Sequence, residues 1–589
     1  MKLNQFVDYL TKIEKTSSRN QMTILLAELL KTAKSTEIDK ICYLSLGELA
    51  PKYRGIEFNM AEKLMLRVIA KAFNLPENKI KQEFKKSGDL GEVVQTLGLV
   101  KTHLKIKDLS VEEVYNVLLA IAQDEGEGSQ ERKINKMAQL ISRVSPQTAR
   151  YLIRIPLGKV RLGFSEITIL DALSWMIKGD KSLRPIFQTA FNVSADVGAV
   201  AKIVKQKGIK GIKKLQAQVG IPIMPALTER ETDLEKILVV RMAGLALIEP
   251  KYDGFRVQIH LDKKRKEERA TQKTLFKKSQ SCFVRIFSRN LENITLMLPE
   301  IAEKATLLPV NSAIFDGEAI GFDPKTGRFL PFQETTQRKR KYDIEQALKK
   351  IPLKVFIFDL LYYNGKTLIA MPLCQRRKLL ERIFAQKSKD SISLTEQTPA
   401  KTTAEINKLF NLYIKKGLEG IIIKEKNSPY HAGQRKFNWI KYKRGMSQKL
   451  VDTVDCLVMG YYFGRGKRSQ FGIGAFLVGI YDEQKEQFYT IAKIGTGLTD
   501  DQWRQLKEKA DQFKTNQPPK EYFVPKELIP DIWINPALVV EIAADEITKS
   551  PVHSCKFALR FPRLTKFRAK NPQEATTLKE IKKLYQLQK

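Results

Sequence analysis

The sequence predicts a multidomain protein with an all-α N-terminal domain, a mixed α/β middle domain and a small β-barrel domain at the C-terminal end. The chain has 589 residues, which is too long for one hydrophobic core. Apolar residues recur at helical spacing as far as about residue 215. Strand-like runs then alternate with short helical segments as far as Lys443, and shorter apolar runs follow.

The periodicity of apolar residues predicts that the N-terminal region, residues 1–215, is helical. Phe6, Leu10 and Ile13 fall on one helical face, and the same spacing recurs between Val111 and Ile121. Residues of this kind form a core and carry no information about function.

A basic segment, Arg154–Gly163, stands out within the helical region. Its glycines lie between cations, so that both backbone and side chains can approach phosphate groups closely. Arg154, Lys159 and Arg161 are therefore candidate nucleic-acid contacts. A merely solvated surface loop is the alternative.

The remaining chain divides into two further domains. The segment Gly220–Pro225 interrupts the helical pattern, and residues 216–446 are predicted to form the α/β domain. Residues 447–589 contain short apolar runs separated by glycines and charges, a pattern typical of a small β-barrel. These runs are Cys456–Phe463, Gly474–Tyr481, Phe488–Ile494 and Ala537–Ala543.

Charge indicates the class of partner. The chain has 102 Lys and Arg against 65 Asp and Glu, a formal net charge of +37. Because this charge is spread along the whole chain, nucleic acid is the favoured partner, with solubility or nonspecific adhesion as the alternative. Two basic inserts, Lys263–Lys266 and Arg338–Lys341, are predicted to be exposed loops.

Cysteine usage and hydropathy favour an intracellular location. The five cysteines are widely separated and only four histidines accompany them, so no disulfide framework or zinc cluster is indicated. No apolar run is long enough to span a bilayer. We expect a cytoplasmic, nucleoid-associated protein without a membrane partner if the source is prokaryotic.

The segment Glu249–Arg256 predicts the chemistry. It places Lys251 among acidic residues, a glycine and an arginine, between two strand-like runs. A lysine amine held at a cleft mouth attacks phosphorus once burial or neighbouring cations lower its pKa and the phosphates are neutralised. Taken alone, the segment also fits a hairpin turn made by Asp253 and Gly254.

Six further stretches follow this segment in order, and with them the chain resembles the ATP-dependent DNA ligases, which are covalent nucleotidyltransferases. The resemblance implies an oligonucleotide-binding (OB) topology for the C-terminal barrel. It also implies that the helical domain grips duplex DNA. The stretches are Phe287–Asn290, Phe315–Ala319, Val355–Asp359, Glu419–Lys424, Asn438–Lys443 and Arg560–Leu564.

The resemblance implies that Lys251 attacks the α-phosphate of ATP, that adenylate passes to a 5′-phosphate at a nick, and that the 3′-hydroxyl displaces AMP. By position in the family pattern, Glu249 would accept a hydrogen bond from the adenine amino group and Phe358 would stack on the ring. The other ATP-binding residues implied are Arg256, Arg289, Glu318, Arg435, Lys441 and Lys443.

The resemblance also implies Mg²⁺ as a cofactor, with Glu318 and Glu419 as the metal-associated acids. Hard carboxylate oxygens suit this ion. In the C-terminal domain Arg560, Arg563 and Lys566 match residues that orient pyrophosphate. Nicked duplex DNA is the implied substrate, a sliding clamp is a candidate partner, and the enzyme is expected to act as a monomer in replication, repair or recombination.

Two other functions remain open at this point. An RNA ligase or an RNA-capping nucleotidyltransferase would use the same lysine chemistry, but a capping enzyme would use GTP and RNA ligases usually lack a long helical domain. A noncatalytic protein that binds DNA ends would be expected to lack Lys251 or several charged motif residues. All of them are present.

Overall fold

The chain folds into two compact units, Met1–Lys443 and Arg444–Lys589. Among the residues described, no helix combines the length and the apolar character that crossing a bilayer requires. The computed structural model describes residues 1–16, 18–100, 108–265, 282–338, 344–385, 391–443, 453–464, 468 and 471–587.

The first part of the Met1–Lys443 unit is all helical, as predicted. The apolar stripes of its helices meet in one core, in which Phe6, Leu10 and Ile121 are fully buried. Local signals set the helix ends: Ser110 and Glu113 form a reciprocal capping box at the start of α7. The helices are α1 Leu3–Glu14, α2 Arg19–Thr32, α3 Ile38–Leu46, α4 Glu62–Phe73, α5 Glu77–Ser87, α6 Leu90–Val100, α7 Val111–Ala122, α8 Ser129–Ile141, α9 Pro146–Arg154, α10 Glu166–Lys178, α11 Arg184–Ser194 and α12 Val197–Lys213.

The second part of this unit is mixed α/β, also as predicted, and contains two sheets. A five-stranded sheet has the order β1-β11-β10-β2-β9. A six-stranded sheet has the order β4-β3-β5-β6-β7, with β8 paired to β6. The strands are β1 Leu227–Arg230, β2 Ala246–Lys251, β3 Phe255–Asp262, β4 Phe283–Ser288, β5 Ser312–Gly321, β6 Leu353–Tyr363, β7 Lys366–Thr367, β8 Ile392–Leu394, β9 Thr398–Ala400, β10 Gly420–Glu425 and β11 Arg435–Lys443.

Short helices cover these sheets. Buried aliphatic side chains of α14 and α17 join the core of the six-stranded sheet, while Ile406 and Tyr413 of α18 join that of the five-stranded sheet. A π-helical turn, Ile237–Arg241, precedes β2. The helices are α13 Leu234–Lys236, α14 Pro299–Thr306, α15 Phe332–Thr335, α16 Ile344–Lys350, α17 Leu373–Ile383 and α18 Thr403–Lys415.

The Arg444–Lys589 unit is β-rich and barrel-like, and the four apolar runs predicted as strands lie in β12, β13, β14 and β18. Its main sheet has eight strands, and a separate pair is formed by β19 and β20. Its elements are β12 Val454–Tyr462, β13 Ala475–Asp482, β14 Gln487–Ile494, α19 Asp500–Asp511, β15 Lys514–Thr515, β16 Tyr522–Phe523, β17 Ile532–Ile534, β18 Val539–Ala543, β19 Glu546–Lys549, β20 Phe557–Arg560, β21 Arg563–Arg568 and α20 Leu578–Leu587.

One of the basic inserts is not simply an exposed loop. Arg338 is fully buried and donates hydrogen bonds to the Met297 carbonyl oxygen at 2.7 Å and to the Glu300 carboxylate at 2.8 and 2.9 Å. The other residues of that insert, 339–341, lie outside the described residues. Lys266 of the first insert and residues 267–281, which follow it, also lie outside the described residues.

Candidate active site

A cleft of about 370 Å³ is lined by residues from both sheets of the α/β part. The predicted site residues that line this cleft are Glu249, Lys251, Arg256, Arg289, Glu318 and Phe358. Lining residues that were not predicted as site residues include Asn290, Phe332, Thr395, Lys424 and Trp439.

Lys251 lies where the chain passes from one sheet to the other. β2 ends at Lys251 in the five-stranded sheet, and β3 begins at Phe255 in the six-stranded sheet. The two strands do not pair with each other, which excludes the hairpin turn as an explanation of the motif. The side chain of Lys251 is 22% exposed, so its amine is accessible from the cleft.

The Lys251 ammonium contacts the carboxylate of Glu419, which also receives an ion pair from Lys443 at 3.3 Å. Burial tends to raise the pKa of Glu419, but the two ammonium groups outweigh it and hold this pKa below its usual value. Glu419 therefore stays ionised. Glu419 and Lys443, which were predicted from separate motifs, are brought together beside Lys251.

Gly254 is the one residue of the lysine motif whose small size is required by geometry. A Cβ atom added here would lie 2.2 Å from the carbonyl oxygen of Ala319 on β5. This is well inside contact distance, and the obstacle is backbone. A side chain at this position would push β3 and β5 apart and move the end of the Lys251 segment.

We expect Gly254→Ala to lower the rate at which Lys251 is modified by about 100-fold, since displacements near 1 Å cost that much in positioned reactions. The measurement is label transferred from ATP to the protein per unit time. Gly495→Ala is the matched control, because an added Cβ there meets no atom closer than 3.5 Å. Equal rates in both variants would contradict the geometric argument.

Each of the three nitrogens of the Arg256 guanidinium has a hydrogen-bond partner. It donates to both oxygens of Asp316, one at 2.9 Å, to the Ala226 carbonyl oxygen at 2.6 Å and to the Tyr430 hydroxyl at 3.0 Å. Burial opposes its charge, but the Asp316 carboxylate outweighs this and holds the pKa of Arg256 above its usual value. Arg256 thus stays charged in the cleft wall, where the Asp316 carboxylate balances its charge.

Glu318 faces Arg256 across β3 and β5. Burial raises the pKa of Glu318 to about 7 despite the opposing charges of Lys251 and Arg256. The described residues contain no ready cage of three His, Cys, Asp or Glu side chains. Magnesium commonly takes one or two carboxylates and completes its shell with water and phosphate, so carboxylates such as those of Glu318 and Glu419 have the oxygen chemistry that this ion requires.

Phe358 forms an aromatic wall of the cleft. The register between β5 and β6 shifts from Asp316↔Asp359 to Gly317↔Ile357, so Phe358 lies at a bulge, a feature that redirects a side chain. Lys424 lies 4.8 Å from its ring centroid, and Trp439 packs against its edge.

Three of the predicted nucleotide-binding residues, Arg435, Lys441 and Lys443, lie on β11 and are not among the residues that line the cleft. Arg435 is exposed at the start of the strand and pairs in register with Leu227 of β1. Lys441 lies opposite Ile422 of β10. The strand partners of Arg435 and Lys441, which are Leu227 and Ile422, line the cleft.

The predicted DNA contact at Arg154 requires a correction. Arg154 is 1% exposed, with its guanidinium bonded to Asp89 and to Glu14 at 3.0 Å, so it holds the helical domain together. Lys159 is 37% exposed and pairs with Glu62 at 2.6 Å. Arg161 donates to the Gly88 carbonyl oxygen at 2.8 Å.

The C-terminal cations are surface residues with acidic partners in their own unit. Each is more than one third exposed. Arg560 pairs with Glu546 at 3.0 Å, and Arg563 pairs with Asp545 at 2.8 Å. Lys566 lies 3.4 Å from Glu541. The cations of these pairs are accessible to solvent, while two of their partners, Asp545 and Glu541, are largely buried.

Three known protein families match the chain in order. The family described as DNA ligase N terminus matches residues 2–174, the ATP dependent DNA ligase domain matches residues 225–443, and the ATP dependent DNA ligase C terminal region matches residues 469–571.

Whole-chain comparisons agree. A probable DNA ligase of Dictyoglomus thermophilum is 44% identical over 599 residues, which cover 100% of this chain and 98% of that protein. A DNA ligase of Sulfurisphaera tokodaii is 38% identical over 610 residues, again covering 100% and 98%. A solved structure named Pmar-Lig_PreS3 shares the fold, with a TM-score of 0.56 at 19% identity over 96% of this chain and 99% of its own.

Proposed function

Since this chain belongs to the ATP-dependent DNA ligases and therefore seals nicks in DNA with ATP, we propose that Lys251 is the residue that carries the adenylate. One observation supports this assignment above the others. Residues from separate sequence motifs line a single cleft around the Lys251 amine.

The first step is transfer of AMP to Lys251. The Lys251 ammonium first loses a proton to solvent, which frees the nitrogen lone pair. The nitrogen then forms a bond to the α-phosphorus of ATP and releases a second proton to solvent, while the bond to pyrophosphate breaks and pyrophosphate leaves with the electron pair. Glu419 accepts the hydrogen bond that orients the amine, and Arg256 and Lys443 place positive charge where negative charge develops. Arg289, Arg435 and Lys441 extend this field.

The adenylate then passes to the 5′-phosphate at the nick, and the 3′-hydroxyl displaces AMP to form the phosphodiester. Lys159 and Arg161 contribute to binding the duplex through its phosphates. Arg560, Arg563 and Lys566 act on the pyrophosphate end of ATP. A magnesium ion held by Glu318 and Glu419 would neutralise phosphate charge.

We expect Glu318→Gln to raise the Mg²⁺ concentration required for half-maximal lysine labelling by about tenfold or more, because loss of supporting groups around a metal typically costs that much affinity. The measurement is labelling from ATP across a Mg²⁺ titration. Glu303→Gln, at an exposed glutamate of the same domain, is the control. An unchanged Mg²⁺ requirement in Glu318→Gln would contradict the metal assignment.

The remaining features of the proposal concern organisation and partners. The helical, adenylation and OB domains comprise residues 1–215, 216–446 and 447–589. The enzyme acts as a monomer in the cytoplasm, and a sliding clamp recruits it. The five cysteines are unpaired, which accords with a reducing compartment.

The proposal is tested by incubating the protein and Mg²⁺ with ATP labelled at the α-phosphate, and separately with labelled GTP. We expect label from ATP to remain on the denatured protein and to be released on addition of nicked duplex DNA, with appearance of sealed product. Label that remains on the Lys251→Ala variant would show that a residue other than Lys251 is the nucleophile. Label from GTP would contradict the choice of ATP.

A further inference from the structure

Glu249 lines the cleft, and two donors hold its carboxylate. Its carboxylate is buried, with 3% of the residue exposed. The Lys424 ammonium lies 2.7 Å from Oε2, and the side-chain amide of Gln397 donates to Oε1 at 2.7 Å. Because the donors bind different oxygens from different elements, the carboxylate plane cannot rotate freely.

The fold determines both donors. Lys424 lies on β10, two residues from Ile422, which is the register partner of Glu249 on β2. This diagonal relation lets a long side chain reach across the strands. Gln397 lies immediately before β9, which pairs with β2 on its other side. Glu249 is therefore contacted from both sides of β2, by Lys424 on one side and by Gln397 on the other.

The two donors have different electrostatic roles. Lys424 neutralises Glu249, and its ammonium also lies 4.2 Å from the centroid of Trp439 in the cleft wall. Gln397 is neutral and adds no charge. Because an ionised carboxylate only accepts hydrogen bonds, the amide of Gln397 must present its NH₂ group, which leaves a lone-pair direction of Oε1 for a third donor.

We propose that Gln397 is a positioning residue that sets base selection by fixing the Glu249 carboxylate toward the 6-position of the purine. The inference rests on the proposed function, in which Glu249 accepts from the adenine amino group. A fixed acceptor favours the 6-amino group of adenine and rejects the 6-oxo group of guanine, since two acceptors would oppose each other. A carboxylate that can rotate would discriminate less between adenine and guanine.

The test uses Gln397→Met, which keeps length and volume but donates no hydrogen bond. We measure the rate of lysine labelling at low nucleotide concentration and divide it by that concentration. This ratio is compared for ATP, GTP and purine riboside triphosphate, which lacks the 6-amino group. We expect the preference for ATP over purine riboside triphosphate to fall by about tenfold or more, the usual effect of a hydrogen bond to a charged group. Gln375→Leu, at an exposed glutamine of the same domain, should keep the preference of the unmodified chain.

Gln397→Glu is a second variant in case the methionine variant folds poorly. It is nearly isosteric and replaces the donor by a carboxylate that repels Glu249, so we expect the same loss of preference. Equal losses for ATP and for purine riboside triphosphate, or an unchanged preference in both variants, would overturn the inference. If the unmodified chain is labelled at Lys251 but does not distinguish ATP from purine riboside triphosphate, the role of Glu249 fails and this inference with it, while the lysine assignment stands.

Discussion

Lys251→Ala is expected to lose lysine adenylation by more than about 1000-fold, because the variant has no amine to form the phosphorus–nitrogen bond. It should nevertheless seal a nick whose 5′-phosphate already carries AMP. That last reaction needs charge neutralisation and alignment of the 3′-hydroxyl, and Arg256, Glu318 and Lys443 remain in place to supply them.

The measurement pairs two substrates in one preparation: ATP with an ordinary nick, and a pre-adenylated nick without ATP. Gln375→Leu serves as the control for handling and folding. Sealing of both nicks by Lys251→Ala would mean that another residue carries the adenylate. Failure on both, in a variant that melts like the unmodified chain, would mean that Lys251 also acts in the final step.

The α/β site illustrates which parts of a structure local sequence encodes. The strands on both sides of Lys251 were predicted from the apolar run Met242–Ile248 and from the alternating Val257 and Ile259. The end of the first run lies in β2, and Val257 and Ile259 lie in β3. Their pairing was not predictable from these runs, because β2 pairs with β9 and β10 and β3 pairs with β4 and β5, far along the chain. The cleft exists because neighbours in sequence enter different sheets.

Gln397 shows why some site residues cannot be predicted from sequence motifs. It lies between two short strands in a polar stretch, and no neighbouring residue marks it as functional. Only the pairing of β9 with β2 brings it to Glu249. Lys424 was easier to notice in the sequence than Gln397, because it is the last residue of a matched motif. Its burial against Glu249 nevertheless depends on the pairing of strands in the same sheet.

Arg154 shows the opposite error, in which a charged residue in a basic stretch was assigned to the surface. Its principal partner, Asp89, is 65 positions earlier in the chain and is itself 4% exposed. Charge patterning cannot reveal a partner at that separation. The same carboxylate lies 3.3 Å from Arg161, so the basic segment is anchored from inside the helical domain.

This anchor predicts a large effect on stability. Burial tends to raise the pKa of Asp89, but Arg154 and Arg161 outweigh it and hold this pKa below its usual value. A depressed pKa means that the stabilisation is complete above the ordinary carboxyl pKa of about 4 and is lost as the pH falls through the lower folded value. Acid should therefore weaken the helical domain through this residue.

At neutral pH we expect Asp89→Ala to lower the free energy of unfolding of the helical domain by about 3 kcal/mol or more, because it leaves the buried Arg154 guanidinium without its main partner. Urea denaturation followed by circular dichroism measures the change. The control is Glu131→Ala, which breaks the pair with Arg67 between residues 55% and 39% exposed and should cost less than about 1 kcal/mol. Equal and small losses in the two variants would show that Arg154 finds sufficient compensation in Glu14, and that Asp89 is not the anchor of the basic segment.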